Sequence, residues 1–449
     1  MNETASAAKM IWRATCLVLA AMTVSIPAHA TNGMWMIGYG AKATSLGGAG
    51  VANPVDGMAA GYNPALMTAV GEARLDLTIE LFRPPRAVNH VSSEFPADTQ
   101  SNDDLFPIPA LGAVLSAPGT PFAMGMAVVG AGAGTRYPQK RGSLFDPDLT
   151  KAAYKQAGVF LMQMQMLPSI AFRVDDDHSV GFTFVIAMQT FRAFGLEAFS
   201  DLGFSGDENS LTNRGNDWSF GGGYRLGWLG KFFDKRLNIG INYAPEVKMQ
   251  RFNRYKGLFP RRGEFDIPEN YTLGFAFKAT PKSTIAFDIQ QINYSKIPGI
   301  GNRGPSTTNI TDFNPACPGA DVDQACWLGG EKGMGFGWKN QVAYKLGMDY
   351  KYRKDLTLRG GVNYGRTPIR PDQILFNFLA PATTEKHITF GATWAQDKDT
   401  DITVGFMHAF QKTVKGPTPF GPEGKVVQGS NASISMSQTS LSIAYGLKF

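Results

Sequence analysis

Apolar and polar residues alternate with a period of two along most of the chain after residue 72. Because successive side chains of a strand point to opposite faces, each run predicts a strand with one apolar and one polar face. A wall between lipid and a polar lumen needs this arrangement. The clearest apolar faces are Leu75, Leu77, Ile79 and Leu81; Trp218, Phe220, Tyr224, Leu226 and Trp228; Leu237, Ile239, Ile241 and Tyr243; and Tyr271, Leu273, Phe275 and Phe277.

The opposite faces of these strands are lined by small and polar residues, with charges at Arg225, Lys278, Asp288 and Arg359. These faces predict the lining of a lumen. A water-filled general diffusion porin would have the same lining, so the lumen faces alone leave the type of barrel open.

The connections between strands alternate between short and long. This alternation predicts an outer-membrane barrel with short turns at one end, long loops at the other and about fourteen antiparallel strands. An even number keeps both chain ends on the short-turn side. The short turns lie near residues 118–121, 175–178, 280–283, 353–355 and 397–400, and the long loops near 132–157, 195–216, 251–267, 295–340, 366–384 and 413–433.

Residues 31–71, here called the hatch, precede the first strand. This segment is too apolar for water and too rich in Gly and Ala for one stable helix or strand. A closed barrel would shield it, so we predict a hatch inside the lumen. A residue before proline avoids the helical region, and therefore Asn63, Pro64 and Ala65 should form a turn that anchors the hatch.

The most apolar run of the hatch is formed by Met34, Trp35, Met36 and Ile37. Flexible Met side chains beside a large aromatic ring suit a surface that binds varied apolar ligands. Packing against the barrel wall explains the same run equally well, and both interpretations stay open at this point.

The first 30 residues predict a cleaved signal peptide. Lys9 and Arg13 precede an apolar core at 14–26, and Ala28, His29 and Ala30 form a small-x-small cleavage site. The apolar core is too short for a membrane-spanning anchor, so the mature chain should begin at Thr31. Loss of Glu3, Lys9 and Arg13 lowers the formal net charge from +6 to +5. This charge is spread too evenly to indicate nucleic-acid binding.

Two cysteines remain after cleavage, Cys317 and Cys326. A pair that closes a short loop in an exported chain favours a disulfide over a metal site. With 31 Phe, 14 Tyr and a mean hydropathy of −0.14, the composition excludes a helical membrane protein.

The last strand predicts a signal for barrel assembly. Its apolar face ends with Tyr445, Leu447 and Phe449, and a terminal strand that closes on an aromatic residue is typical of chains read by the barrel-assembly machinery. Ala444 stands where that pattern often has Gly.

No catalytic, cofactor or metal motif is found. Gly299–Gly304 matches G-x-G-x-x-G, but the polar run after it does not read as the helix that would receive a pyrophosphate. Asp175–His178 reads as a turn between two strands. We therefore predict a protein that is not an enzyme and carries no cofactor.

One predicted outer loop combines cations with apolar residues. It could bind lipopolysaccharide phosphates, capture an amphipathic anion, or be a solvated loop. Its cations are Arg251, Arg254, Lys256, Arg261 and Arg262, and its apolar residues are Phe252, Tyr255, Leu258 and Phe259.

Three features follow one another along the chain: a leader, a Gly/Ala-rich segment that ends in Asn63-Pro64-Ala65, and a long β region that ends on an aromatic residue. This order resembles the outer-membrane long-chain fatty acid and hydrocarbon transporter family (FadL/TodX type). The resemblance implies an all-β transmembrane barrel in the bacterial outer membrane, with the hatch inside.

The resemblance also implies a monomer that passes hydrophobic small molecules into the periplasm, long-chain fatty acids ahead of aromatic hydrocarbons. Contacts with outer-membrane lipids, lipopolysaccharide and the assembly machinery are expected. A general porin, an outer-membrane lipid enzyme and an adhesin remain alternatives.

Overall fold

The computed structural model describes residues 32–71, 73–91, 97–102, 105–116, 119–138, 156–197, 199, 205–304, 324–417 and 431–449. The strands are β1 (Arg74–Arg83), β2 (Arg86–Val91), β3 (Ala97–Gln100), β4 (Phe106–Ser116), β5 (Phe122–Pro138), β6 (Gln156–Arg173), β7 (His178–Phe194), β8 (Asp217–Phe232), β9 (Leu237–Ala244), β10 (Lys248–Met249), β11 (Asn270–Thr280), β12 (Ser283–Ile292), β13 (Gln341–Lys351), β14 (Leu356–Gly365), β15 (Lys386–Ala395), β16 (Thr400–Pro417) and β17 (Asn431–Lys448).

The helical segments are single turns. They are α1 (Ala41–Thr44), α2 (Ala59–Tyr62), α3 (Pro260–Gly263), α4 (Pro298–Gly301) and α5 (Ile374–Asn377), with 3₁₀ turns at Pro64–Ala69, Glu208–Ser210, Asn253–Tyr255, Tyr294–Lys296, Gln324–Cys326 and Pro371–Gln373. No helix in these described ranges is long and apolar enough to cross a membrane.

The strand segments close into one antiparallel barrel. Seventeen segments belong to a single sheet, and the last, β17, pairs with the first, β1. Three wall strands are interrupted, and each comprises two segments: β1 with β2, β3 with β4, and β9 with β10. The wall therefore has fourteen strands, which confirms the predicted fold class.

The two faces of the wall are those that the alternation predicts. Outward residues are exposed, such as Tyr445 at 44% and Phe449 at 53%, whereas Asp76, Arg225 and Asp288 are buried on the inner face. Lys278 has the same strand parity as the inward-facing Thr272, Gly274 and Ala276, and it is exposed at the rim of the barrel beside a short turn.

Two long loops begin later than the sequence predicted. β5 continues to Pro138 and β16 to Pro417, whereas the loops were expected from residues 132 and 413. In β5 the run from Gly130 to Gly134 contains only Gly and Ala, so it has no apolar–polar alternation from which a strand could be predicted.

Several predicted features lie wholly or partly outside the described residues. The signal peptide, residues 1–30, is one of them, and Thr31 at the predicted mature start is another. Cys326 is buried and disulfide-bonded. Its predicted partner Cys317 lies outside the described residues, so the pairing stays a prediction.

The hatch fills the lumen as α1, α2, the 3₁₀ turn Pro64–Ala69 and irregular backbone between them. Most of its side chains are buried. Wall glycines allow its backbone to approach closely: a Cβ on Gly240 would lie 2.1 Å from the carbonyl oxygen of Val51, and one on Gly227 would lie 2.0 Å from Asn63 Oδ1. Gly112, Gly181, Gly347 and Gly361 also face hatch backbone at close range.

Candidate functional site

The first arm of the hatch, residues 36–53, is tied to the wall by polar side chains, while Met36 and Ile37 at its start pack in an apolar cluster. Asp288 Oδ2 accepts from the amides of Gly50 at 2.8 Å and Val51 at 3.0 Å. Lys345, which lies directly opposite Asp288 on the neighbouring strand, donates to the carbonyl of Ile37 at 3.0 Å. Both wall side chains are buried, so these ties run through a region shielded from water.

Further along the same arm, wall side chains continue to bond hatch backbone. Thr389 Oγ1 donates to Ser45 O and accepts from Gly47 N, both at 2.9 Å. Asn363 Nδ2 donates to Gly47 O at 3.2 Å. Backbone groups that neither helix nor sheet satisfies here obtain partners from the wall.

The second arm, residues 57–70, packs mainly through apolar contacts with β4–β8. Met58, Ala60, Leu66 and Met67 are fully or almost fully buried. They belong to one apolar cluster with wall residues Val114, Ala127, Leu167, Val185 and Leu229. Polar ties are present but fewer, for example from Thr68 Oγ1 to Ser179 Oγ at 2.8 Å.

Asn63 joins the two arms and the wall. Its side-chain Nδ2 donates to Val51 O and to Trp228 O on β8, both at 2.9 Å. Its Oδ1 accepts from Ala65 N at 3.1 Å, at the N-cap of the 3₁₀ turn that begins at Pro64. The turn predicted from Asn63, Pro64 and Ala65 is present, and its role in gating stays a prediction.

A buried charge cluster lies where the hatch meets the seam that closes the barrel. Lys42 Nζ lies 2.8 Å from Asp401 and 3.4 Å from Asp76, and Arg74 bonds both carboxylates at 2.6 Å. Burial, and then the charge of Asp76, raise the pKa of Asp56 to about 6, although Lys42 and Arg74 oppose the shift. Asp56 is thus the hatch group most easily neutralised in this cluster.

The hatch tip, residues 32–35, reaches the long-loop end of the lumen. The hydroxyl of Tyr294 donates to Asn32 O at 2.6 Å and accepts from Met34 N at 3.1 Å. Of the four predicted ligand-binding residues, Met34 and Trp35 join the apolar cluster that includes Tyr294 and Trp338. Met36 and Ile37 instead pack on the wall, in a separate cluster with Phe82, Phe106, Ile108, Met407 and Ala409.

Long loops form an apolar cap above the hatch tip. The cap includes Phe252, Tyr255 and Phe259, which are at most 4% exposed. The aromatics of the loop at 251–267 thus pack inside the cap and do not stand in a solvated loop with its cations, and their contact with a ligand stays a prediction. Sequence reasoning missed the rest of the cap, which includes Ile297, Ile300, Trp338, Phe376, Phe378 and Leu379; their only signal was apolar residues inside predicted loops.

The barrel wall has a gap beside the hatch tip. β4 and β5 are paired from Ser116–Ala123 to Leu111–Val128, and there the ladder ends. β5 continues along β6 as far as Pro138–Gln156. The next bonds between the two neighbours in the described residues join Ser101 and Asn102 to Arg136. Residues 106–110 and 129–135 therefore face each other without a ladder.

Two prolines account for the gap. Pro107 and Pro109 have no N–H, and as residues i and i+2 of one strand they present the same edge. β4 pairs with β1 without a break at Pro107 or Pro109. The edge of β4 that lacks these two N–H donors therefore faces β5. This spacing was visible in the sequence, where a proline inside a strand signals an unpaired edge.

A narrow cavity connects the tip, the cap and the gap. It is lined by Gly33 of the hatch, Trp338 and Ala380–Ala382 of the cap, and Gly132–Gly134 of β5 at the gap, with Arg86 and Met436 beside them. Its volume of about 20 Å³ admits no drug-sized ligand, because such sites measure roughly 300–1,000 Å³. The hatch tip or the cap must move for a ligand to enter.

The arrangement matches a known family of membrane channels. A family model described as outer membrane protein transport protein (OMPP1/FadL/TodX) matches residues 19–419. The chain belongs to this family. It is therefore a bacterial outer-membrane barrel that transports hydrophobic compounds, and members of the OMPP1/FadL/TodX family are transport channels, not enzymes.

Solved structures share the fold of the family at low sequence identity. The toluene transporter TodX of Pseudomonas putida is 18% identical with a TM-score of 0.65, covering 92% of this chain and 99% of that chain. A Pseudomonas aeruginosa FadL homologue is 14% identical with a TM-score of 0.62, covering 95% and 99%. The Ralstonia pickettii toluene transporter TbuX is 16% identical with a TM-score of 0.58, covering 92% and 98%. No curated protein sequence matches the chain.

Proposed function

We propose that this chain takes up long-chain fatty acids from outside the cell and releases them sideways through the gap between β4 and β5. The single observation that carries the proposal is the meeting of the hatch tip, the apolar cap and the gap at one cavity. In the first step the ligand enters the cap. Displacement of the hatch tip then widens the cavity, and the ligand leaves the barrel sideways through the gap in its wall.

The lumen below the cavity favours this sideways route. Both arms of the hatch are packed there against the wall, and wall glycines leave no space for a chain to pass beside Val51 or Asn63. A ligand that travelled straight to the periplasm would have to displace both arms. The route through the gap leaves both arms in place and requires movement of the tip or the cap only.

Arg86 supports a carboxylate ligand. Arg86 lines the cavity and is 3% exposed. It donates to Pro84 O at 2.9 Å and Ser101 Oγ at 3.0 Å, and it lies 5.7 Å from the ring centroid of Phe106. A guanidinium and a carboxylate form charge-assisted hydrogen bonds, which are strong in a site shielded from water.

Aromatic hydrocarbons are the second candidate. The rings of Tyr294 and Trp338 meet edge to face beside the hatch tip, with centroids 5.1 Å apart. Such a corner accommodates a third ring without any charge. TodX and TbuX are named as toluene transporters, and their likeness to this chain extends to the fold alone.

Closing the gap tests the route. The double variant Pro107→Val/Pro109→Thr restores two N–H donors, so β4 and β5 can pair through the gap. We expect oleate uptake to fall at equal folded level, while Pro168→Val in the paired β5–β6 ladder should transport normally. Unchanged uptake in the double variant would exclude the sideways route.

A pair of ligands tests the substrate class. Oleate and oleyl alcohol share one chain and differ in the carboxylate, so Arg86→Gln should weaken oleate binding and leave oleyl alcohol binding unchanged. An equal loss for both ligands would assign Arg86 a structural role. Ion conductance by the wild type would indicate a general diffusion porin instead.

A further inference from the structure

The outer surface of β13–β15 carries aromatic residues and cations at the long-loop end. Tyr344 and Tyr364 lie directly opposite each other, and Tyr364 also lies opposite Lys386 on β15. Tyr344 is 45% exposed and Tyr364 is 39% exposed, on the face that carries Leu346 and Val362 toward lipid. The apolar band of the wall thus ends in two tyrosines with a cation beside them.

A second cation continues the same patch. Arg366 follows Tyr364 by two residues, is exposed, and hydrogen-bonds to the Tyr364 side chain. Neither Arg366 nor Lys386 has a carboxylate within 4.0 Å among the described residues. Nearby Lys412, in contrast, lies 3.2 Å from Glu385, and Lys296 lies 2.5 Å from Glu269. Arg366 and Lys386 therefore stand together at the edge of the apolar band with no described carboxylate at ion-pair distance, while the charge of Glu385, which pairs with Lys412, also acts on Arg366.

We propose that Arg366 and Lys386, with Tyr344 and Tyr364, bind the phosphates of lipopolysaccharide in the outer leaflet. The long-loop end of an outer-membrane barrel faces the cell exterior, where the leaflet consists of phosphorylated glycolipid. Its phosphates lie just beyond the acyl chains, which is the depth of this patch. Arg and Lys bind phosphate through charge-assisted hydrogen bonds, and tyrosines occupy the same interface.

The basic loop at 251–262 is a weaker candidate for the same partner. Lys256 lies 3.2 Å from Asp207, and Arg261 lies 3.1 Å from Glu264 and 3.4 Å from Glu331. These carboxylates already balance part of the charge in that loop. The patch on β14 and β15 also lies on the lipid-facing wall, where an acyl chain can pack below the phosphate.

The test measures lipopolysaccharide bound per folded barrel after purification from outer membranes in mild detergent, by native mass spectrometry. The variant is Arg366→Gln/Lys386→Gln, and the control is Lys282→Gln/Lys354→Gln, which removes two exposed charges at the short turns. We expect the first variant to lose about tenfold in retained lipid, because each Lys or Arg at an anionic surface contributes several-fold in affinity. The control variant should retain as much lipopolysaccharide as the wild type.

Three results would overturn the proposal. They are unchanged retention by the first variant, equal loss in the control, or phospholipid in place of lipopolysaccharide on the wild type. Phosphatase-treated lipopolysaccharide, added back to delipidated protein, should bind the wild type no better than the variant. Heat-modifiable migration verifies that all variants are folded, and the substituted side chains are exposed, so no core packing changes.

Discussion

The two arms of the hatch are attached to the same wall by different forces. The first arm, residues 36–53, depends on directional bonds from Asp288, Lys345 and Thr389 to its backbone. The second arm, residues 57–70, depends on apolar packing against β4–β8 and leads directly into β1. Directional bonds hold one position and break together, whereas apolar contacts tolerate small shifts. We therefore expect the first arm to open without the second when its bonds to the wall are removed.

The largest effect is expected for Asp288→Ala. The substitution leaves the amides of Gly50 and Val51 without acceptors, and Lys345 loses the charge opposite it. Each buried hydrogen-bonding group that is left without a partner costs about 1–3 kcal/mol. Hydrogen exchange of amides 45–53 should accelerate strongly, with little change at 57–70.

The matched control for this prediction is Asp355→Ala, an exposed short-turn aspartate. If exchange at 45–53 responds no more to Asp288→Ala than to the control, the first arm is not held by polar ties.

Leu66→Ala examines the second arm. Leu66 is 1% exposed within the apolar cluster, and truncation of such a side chain destabilises by about 2–5 kcal/mol, depending on how far the cavity collapses. Exchange should accelerate at 57–70 and remain slow at 45–53. If amide exchange accelerates in both arms, they open as one unit, and the proposed difference between their attachments is wrong.

Lowering the pH should stabilise the folded hatch. The pKa of Asp56 is about 6 in the folded hatch, above its ordinary value near 3.8. The folded hatch therefore favours protonated Asp56. The stabilisation from this group is complete below about pH 4, and it is lost as the pH rises through 6.

Amide exchange around Asp56 should thus be slower at pH 5 than at pH 7, after correction for the intrinsic dependence of exchange on pH. Asp56→Asn should abolish that difference. A variant that keeps the full pH dependence would place the titrating group elsewhere.

The alternation of apolar and polar residues was enough to predict the wall. It predicted which side chains face outward from β8, β9 and β11, and the terminal strand that ends at Phe449. Period-two patterns report burial on one face directly, which is why this part of the fold could be predicted. The loop boundaries failed at Gly130–Gly134, where small residues carry no pattern.

The purpose of the small lumen residues could not be predicted, because it depends on contacts between distant segments. Gly240 and Gly227 fit the lining of a porin equally well, and only the folded chain shows the hatch backbone against them. Gly240→Val should therefore displace the hatch, whereas Gly360→Val, with no neighbour closer than 3.8 Å, should not. Hatch exchange rates distinguish the two variants.

The most direct test of the proposed route is a structure with a brominated fatty acid, in which anomalous scattering locates the bromine. We predict bromine at the cavity beside Gly33, Trp338 and Gly132–Gly134, or in the gap between 106–110 and 129–135. A second cleft, of about 390 Å³, lies at the short-turn end below the second arm and is lined by Thr68, Gly71, Ser116 and Arg173. Bromine in that cleft, with none at the gap, would contradict release through the wall.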